Sequence, residues 1–322
     1  MTLVWIVGSG GLLGSALCRA LGGSALDLLF STERFKWTNE SIVDTQMKLA
    51  IDAFADRAVE ASRWEIYWAA GIGNMSSSET DLARETRMLS TFLGYVASDN
   101  RLRKTPGSVA FASSAGAIYA GSQDYIISEE SFPAATTPYG REKLKQEHML
   151  SRFALDTATP VLFARLSTIY GPGQSTGKQQ GLLAHIARSM LRNRPITIFV
   201  SFDTIRDYIF SDDAARMIVN ALRASRRDAQ VTIKIIASEQ PVTIAEIIST
   251  FRKVERRPPR IVTNASSLSG MYSRCIRFHS VAIPQNRSPA KTTLRVGIAK
   301  LLAAERLAFV RGSRARENDR LH

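Results

Sequence analysis

The chain has 322 residues, enough for one large domain or two closely joined ones, and its 45% hydrophobic content is that of a globular protein with a sizeable core. No run of eighteen apolar residues occurs, so no span across a membrane is expected. The two cysteines, Cys18 and Cys275, lie far apart in no paired motif, which argues against a disulfide framework or a metal site. The formal net charge of +13 is dispersed over residues 101–104, 223–227, 252–260 and 311–320 without interleaved aromatic rings, a pattern of solvated faces and not of a nucleic-acid surface.

In chain order, the first element is an apolar run over 3–7, a predicted buried strand. It is followed by glycines at 8, 11 and 14 and by a helical apolar face made of Leu12, Leu13, Ala16, Leu17, Ala20 and Leu21. Strand, glycine turn and helix in this order present backbone N–H groups and the positive end of a helix dipole to an anion. The first glycine permits the tight turn, the second lets a phosphate approach the backbone, and the third allows the helix to pack closely on the strand. A dinucleotide site is therefore expected, held by Gly8, Ser9, Gly10, Gly11, Leu12, Leu13 and Gly14. The same stretch does not fit a secretory signal, because no positive charge precedes Arg19 and glycines interrupt the apolar segment; cytoplasm is the default expectation.

Further strands are predicted over 26–30, 64–68, 108–112 and 161–166, alternating with helices over 47–61, 82–97 and 141–155. Such alternation predicts an α/β fold with a doubly wound parallel sheet covered on both faces. After Tyr170 the run Gly171, Pro172 and Gly173 breaks the pattern. Beyond it we expect a helix over 182–191, a strand over 196–200, a helix over 212–223 and a strand over 231–236 that returns to the sheet. A helix over 243–254 opens with Thr243 and Glu246 at capping-box spacing. The expected organisation is a dinucleotide-binding domain over 1–170, with 201–238 returning to it, a discontinuous substrate region over 171–200 and 239–310, and a flexible basic tail over 311–322. No internal repeat is present.

Of the eight tyrosines, only Tyr139 has a lysine four residues later, Lys143. On a helix both would share one face, where the ammonium can act on the phenol. A free tyrosine titrates near 10, so a tyrosine base near neutrality needs its pKa lowered by roughly three units, about 4 kcal/mol. Upstream, the predicted strand ends in Ser113 and Ser114, at the sheet edge where α/β folds present reactive groups; a serine there can bond both a substrate hydroxyl and the tyrosine oxygen.

Taken together, these segments resemble the extended short-chain dehydrogenase/reductase family, the NAD-dependent epimerase/dehydratase group that acts on nucleotide sugars. The matching segments are the glycine turn; Ala69, Ala70 and Gly71; Ser113 and Ser114; Tyr139 with Lys143; residues 165–173; and Arg206, Asp207 and Tyr208 followed by Asp212 and Asp213. The resemblance implies that Tyr139 is the general acid or base, that Lys143 holds the nicotinamide ribose and lowers the phenol's pKa, and that Ser114, with Ser113 second, completes the set. It implies that Ala69, Ala70 and Gly71 bind the dinucleotide with the turn. Substrate contacts would fall on Arg206, toward a diphosphate, and on Thr168, Gln180, Gly181 and Leu182. No metal is implied, and a homodimer through paired helices is.

Departures from the family pattern narrow the chemistry. After Phe30 the chain has Ser31, Thr32, Glu33 and Arg34 where NAD-binding relatives end the strand in an acid, which favours NADP slightly over NAD. Thr168 and Glu85 stand where asparagines are common. Ala115, Gly116 and Ala117 offer none of the acids a dehydratase needs after the hydroxyl residue, and no cysteine and histidine pair of the GDP-fucose synthase type is found. The expected activity is epimerisation or reduction of a nucleotide-diphosphate sugar through a 4-keto species. A non-catalytic dinucleotide-binding regulatory or scaffold protein of the same fold is the alternative.

Overall fold

The computed structural model describes residues 1–71, 73–75, 77–174, 181–225, 230–264, 275–283 and 290–318. Strand β1 (Thr2–Val7) sends Leu3, Trp5 and Val7 into one core and Val4 and Ile6 into another, so both its faces are buried and the sequence runs apolar without alternation. Helix α1 (Leu12–Leu21) leads to β2 (Asp27–Phe30) on one side of β1, and α2 (Glu40–Val59) crosses to β3 (Arg63–Trp68) on the other. Helices α3 (Glu79–Ser98) and α4 (Asn100–Lys104) precede β4 (Gly107–Ser114); the single turn α5 (Ala115–Ile118) and helix α6 (Pro138–Thr157) precede β5 (Val161–Leu166). Then follow β6 (Thr168–Tyr170), α7 (Leu182–Leu191), β7 (Ile196–Ile198), β8 (Ile205–Phe210), α8 (Ser211–Ala224) and β9 (Val231–Ile236). The chain ends through β10 (Pro241–Thr243), α9 (Ile244–Glu255), β11 (Ile261–Thr263) and α10 (Leu294–Asn318).

Six parallel strands in the order β2-β1-β3-β4-β5-β9 form the central sheet of a Rossmann-type α/β fold. Under α2 and α3 the Trp5 ring sits 5.3, 5.2 and 5.2 Å from those of Phe30, Phe54 and Phe92, an aromatic cluster that anchors one face. On the other face α1 and α8 pack side by side. The strand order reverses between β1 and β3, so the carboxyl ends of these two strands border the crevice where such sheets take ligands.

A three-stranded sheet, β10-β8-β6, and a two-stranded one, β11-β7, stand beyond this crevice with α7, α9 and α10 around a separate core of Tyr170, Phe210, Ile247, Phe251 and Leu301. Within 201–238, β8 pairs in the small sheet, whereas β9 pairs with β5 in the large one. The backbone of α10 stays helical to Asn318, where the sequence led us to expect a flexible tail from 311; its Ala, Arg and Glu content favours helix. No helix among the described residues is long and apolar enough to cross a membrane. No cluster of three or more metal-binding side chains occurs among them.

Candidate active site

The glycine turn is built by exclusion of side chains. Gly8 has φ +92°, and a β-carbon there would lie 2.6 Å from the Ala70 nitrogen at the end of β3; one on Gly14 would press into the Gly8 carbonyl. The Gly11 N–H donates to the Gly8 carbonyl at 3.0 Å, and Gly11 is the N-cap of α1 without any side-chain cap. Amides in the first turn of α1 are thus left for an anion. This backbone cradle fits a dinucleotide diphosphate.

Three clefts meet at the turn. One, of about 330 Å³, is lined by Gly10–Leu13 on one side and by Ser113, Ser114, Tyr139 and Lys143 on the other, with Ala69, Ala70, Gly71 and Ser167 between. A second, about 370 Å³, runs from Gly8, Ser9, Gly10 and Gly11 to Ser31 and Arg34. The third, about 680 Å³, lies between Trp37, Trp68, Arg84 and Met88. Gly11 lines all three, so the phenol of Tyr139 and the end of β2 look onto one continuous groove.

Tyr139 owes its position to the start of α6. Thr137 Oγ1 accepts the Gly140 N–H at 3.1 Å and Pro138 fills the first turn, so the helix begins before residue 141 and Tyr139 sits in its first turn. Lys143 and Glu147 follow on the same face. Ser114 caps α5 by accepting the Ala117 N–H at 3.3 Å and lines the cleft with the Tyr139 phenol, whose pKa it lowers. Ser113 turns away: its hydroxyl donates to Glu147 Oε1 at 2.6 Å, inside a buried network in which Arg165 grips Glu147 at 3.0 and 2.6 Å and donates to the Tyr119 hydroxyl.

Lys143 is nearly fully buried. Its ammonium donates to Glu85 Oε1 at 3.1 Å and Gln146 Oε1 at 3.0 Å, and lies 5.0 Å from the Phe111 ring centre. Burial, which would favour loss of its proton, is outweighed by Glu85, and its pKa is raised. The Tyr139 phenol is pulled in both directions. Burial pushes it up, Lys143 pulls it down, Glu85 pushes it up again, Ser114 lowers it, and the sum is a raised value.

The residues expected from sequence to contact substrate are spread over the small sheet and α7. Thr168 opens β6, paired with Tyr208 of β8; Arg206, also on β8, donates from Nη1 to the Ile205 carbonyl at 2.8 Å. Gly181, at φ +88°, caps α7, and Leu182 packs into the core beneath that helix. None of these four lines the three clefts, and Gln180 lies outside the described residues. Gln146, Glu147 and Ser167 were missed from sequence. The first two carried a signal, since they stand three and four residues beyond Lys143 on the face it shares with Tyr139; the Ser167 hydroxyl, buried beside the cleft with no partner, carried none.

Comparisons with known proteins bear on the family and the fold. The chain is 34% identical over 116 residues to dTDP-L-rhamnose 4-epimerase of Burkholderia thailandensis, covering 36% of this chain and 31% of that one. It is 28% identical over 143 residues to dTDP-4-dehydro-6-deoxyglucose reductase of Escherichia coli, covering 44% of each. These matches span less than half the length of either relative. Among solved structures, MoeE5 in complex with UDP-glucose and NAD superposes with a TM-score of 0.76 at 20% identity, over 96% of this chain and 99% of that one. RMD from Pseudomonas aeruginosa complexed with NADPH gives 0.73 at 18%, over 95% and 100%. Likenesses at this identity show the fold. Residues 4–235 match the profile of the NAD dependent epimerase/dehydratase family, and the chain belongs to that family.

Proposed function

We propose that the protein is an NAD(P)-dependent enzyme acting on a nucleotide-diphosphate sugar, an epimerase or ketoreductase working through a 4-keto species. One observation carries the reading: a tyrosine, a serine and a buried lysine line the same cleft as an uncapped glycine turn. A nicotinamide dinucleotide bound along the groove would supply reversible hydride exchange with a sugar carbon. The amides at the start of α1 would hold its diphosphate, and Lys143 its nicotinamide ribose. Tyr139 Oη would carry the proton to or from the sugar oxygen, with Ser114 fixing the phenol's direction.

Arg34 favours NADP as the dinucleotide. Its guanidinium lies against the turn, 3.5 Å from where a β-carbon on Gly10 would stand, at the end of β2 where a 2′-phosphate is recognised. The two curated relatives named above carry the names of dTDP-sugar enzymes and the MoeE5 structure holds UDP-glucose, so dTDP- and UDP-sugars are the substrates to try. Incubation with each, following nicotinamide absorbance together with sugar identity, separates the two activities: a reductase consumes reduced dinucleotide, whereas an epimerase changes the sugar without net consumption. Tyr139→Phe is expected to cut turnover about 10²- to 10⁴-fold. Unchanged turnover would sink the reading.

A further inference from the structure

Beside Lys143 stands a carboxylate that the mechanism above leaves without a task. Glu85 of α3 meets the Lys143 ammonium through Oε1 at 3.1 Å, and its Oε2 accepts the Gly73 N–H at 3.0 Å. These two partners are donors, so a carboxylate, which accepts at both oxygens, satisfies them where an amide satisfies one. The position is closely fitted: a β-carbon on Gly71 would come within 2.9 Å of Glu85 Oε1. The side chains of Lys143 and Glu85 are only 6% and 10% exposed, so their attraction is weakly screened.

The surrounding charges are otherwise engaged. Arg84, next to Glu85 on α3, pairs with Asp81. Glu147, one turn beyond Lys143 on α6, is held by Arg165 of β5 and by Ser113. Among the described residues, Glu85 is thus the acidic group that acts on both Lys143 and Tyr139 from within the cleft.

We propose that Glu85 is a positioning residue that engages the charge of Lys143 and so biases Tyr139 toward giving a proton to a substrate oxygen over taking one. The inference rests on Tyr139 being the proton carrier. It makes the site better suited to reducing a keto sugar. There the carbonyl carbon is reduced at the expense of a reduced nicotinamide dinucleotide, the carbonyl oxygen takes the phenolic proton, and the phenolate left behind recovers a proton from water. A lysine free of Glu85 would stabilise that phenolate and favour the opposite direction.

The test is a titration of tyrosinate ultraviolet absorbance on the dinucleotide-free protein, comparing the native chain with Tyr139→Phe and Glu85→Gln. The component missing from Tyr139→Phe is expected to move down by about one pH unit in Glu85→Gln. The alkaline-favoured limb of the hydroxyl-oxidising reaction is expected to move with it, giving roughly tenfold more oxidation near neutrality at unchanged substrate. Glu85→Asn, a shorter amide, gives the same direction should the glutamine variant fold poorly. A phenol transition that stays in place in both amide variants overturns the proposal. The two failures are distinguishable: full turnover of Tyr139→Phe overturns the proposed function on which the inference rests, whereas a phenol that stays in place overturns the coupling to Glu85 whatever the turnover.

Discussion

Arg34 and Tyr139 place different demands on their surroundings, and each gives a separate residue-scale expectation. Arg34 is an exposed cation at the mouth of a groove, and in the proposed role its worth to a 2′-phosphate would be that of a charge-assisted hydrogen bond, about 1.5–3 kcal/mol. Arg34→Ser is therefore expected to weaken NADP binding about ten- to a hundredfold while leaving NAD nearly unchanged, as fluorescence titration of the two dinucleotides would measure; equal losses for both would remove Arg34 from that role. Tyr139 is readable from sequence because its partner, Lys143, lies one helical turn away. Its companions from other elements are harder to read. Glu85 stands 58 residues before Lys143, and only the packing of α3 on α6 brings the two together. Ser113 and Ser114 are adjacent and chemically identical, and the strand's alternation decides between them, turning Ser113 into the Glu147 and Arg165 network and Ser114 to the phenol.

The start of α9 followed the sequence because its signal is local and was read, whereas α2 begins at Glu40 behind an Asn39 cap, seven residues before the expected start at 47. Thr243 and Glu246 form the capping box of α9, with Thr243 Oγ1 accepting the Glu246 N–H at 3.1 Å and Glu246 Oε2 accepting the Thr243 N–H at 2.7 Å. The start of α6 shows a signal overlooked: Thr137 and Pro138 are a cap and a first-turn proline, yet apolar periodicity alone begins only at residue 141. Strands β6, β10 and β11 have three residues each, too few for any period to register. In β8 the polar pair Arg206 and Asp207 hides the strand, because Asp207 is buried on bonds from Ser238, both at 2.8 Å. The turn between β1 and α1 is where an element has the least freedom. Gly14→Ala would drive a methyl into the Gly8 carbonyl, so the helix must lift from the strand at a cost of about 1–3 kcal/mol. The expected result is a lower denaturant midpoint together with loss of dinucleotide affinity, and a variant with native stability and affinity would show that the turn is less tight than described.

At the scale of the whole molecule, the ionisable groups that depart from their ordinary values are distributed over both units and define a pH window for stability. Asp99 is held low by the Arg101 guanidinium and two backbone amides. Glu239 is held low although burial raises it, because the Ser280 N–H and Lys291 outweigh that effect, and Glu246 is held low by the Thr243 N–H and hydroxyl. A carboxyl whose folded pKa lies below its unfolded value stabilises fully above the unfolded value, near 4, and loses that contribution as pH falls through the folded one. On the alkaline side, burial pushes Tyr208 up to about 12, and it raises Tyr67 and Tyr170 as well. These phenols stabilise fully below the unfolded value, near 10, and that contribution is lost as pH rises through the folded one. Lys143, charged and also raised, is lost in the same direction. Cys18, raised by burial, adds to the alkaline fall from its own lower ordinary value, so the thermal midpoint is expected to be level between about pH 5 and pH 8 and to fall on both sides. Tyr208→Phe removes a group whose ionisation favours unfolding, so it should soften the alkaline fall and leave the acid one untouched. A midpoint that already declines between neutrality and about pH 8, or a Tyr208→Phe profile parallel to the native one at high pH, would contradict the assignment of that limb chiefly to buried phenols.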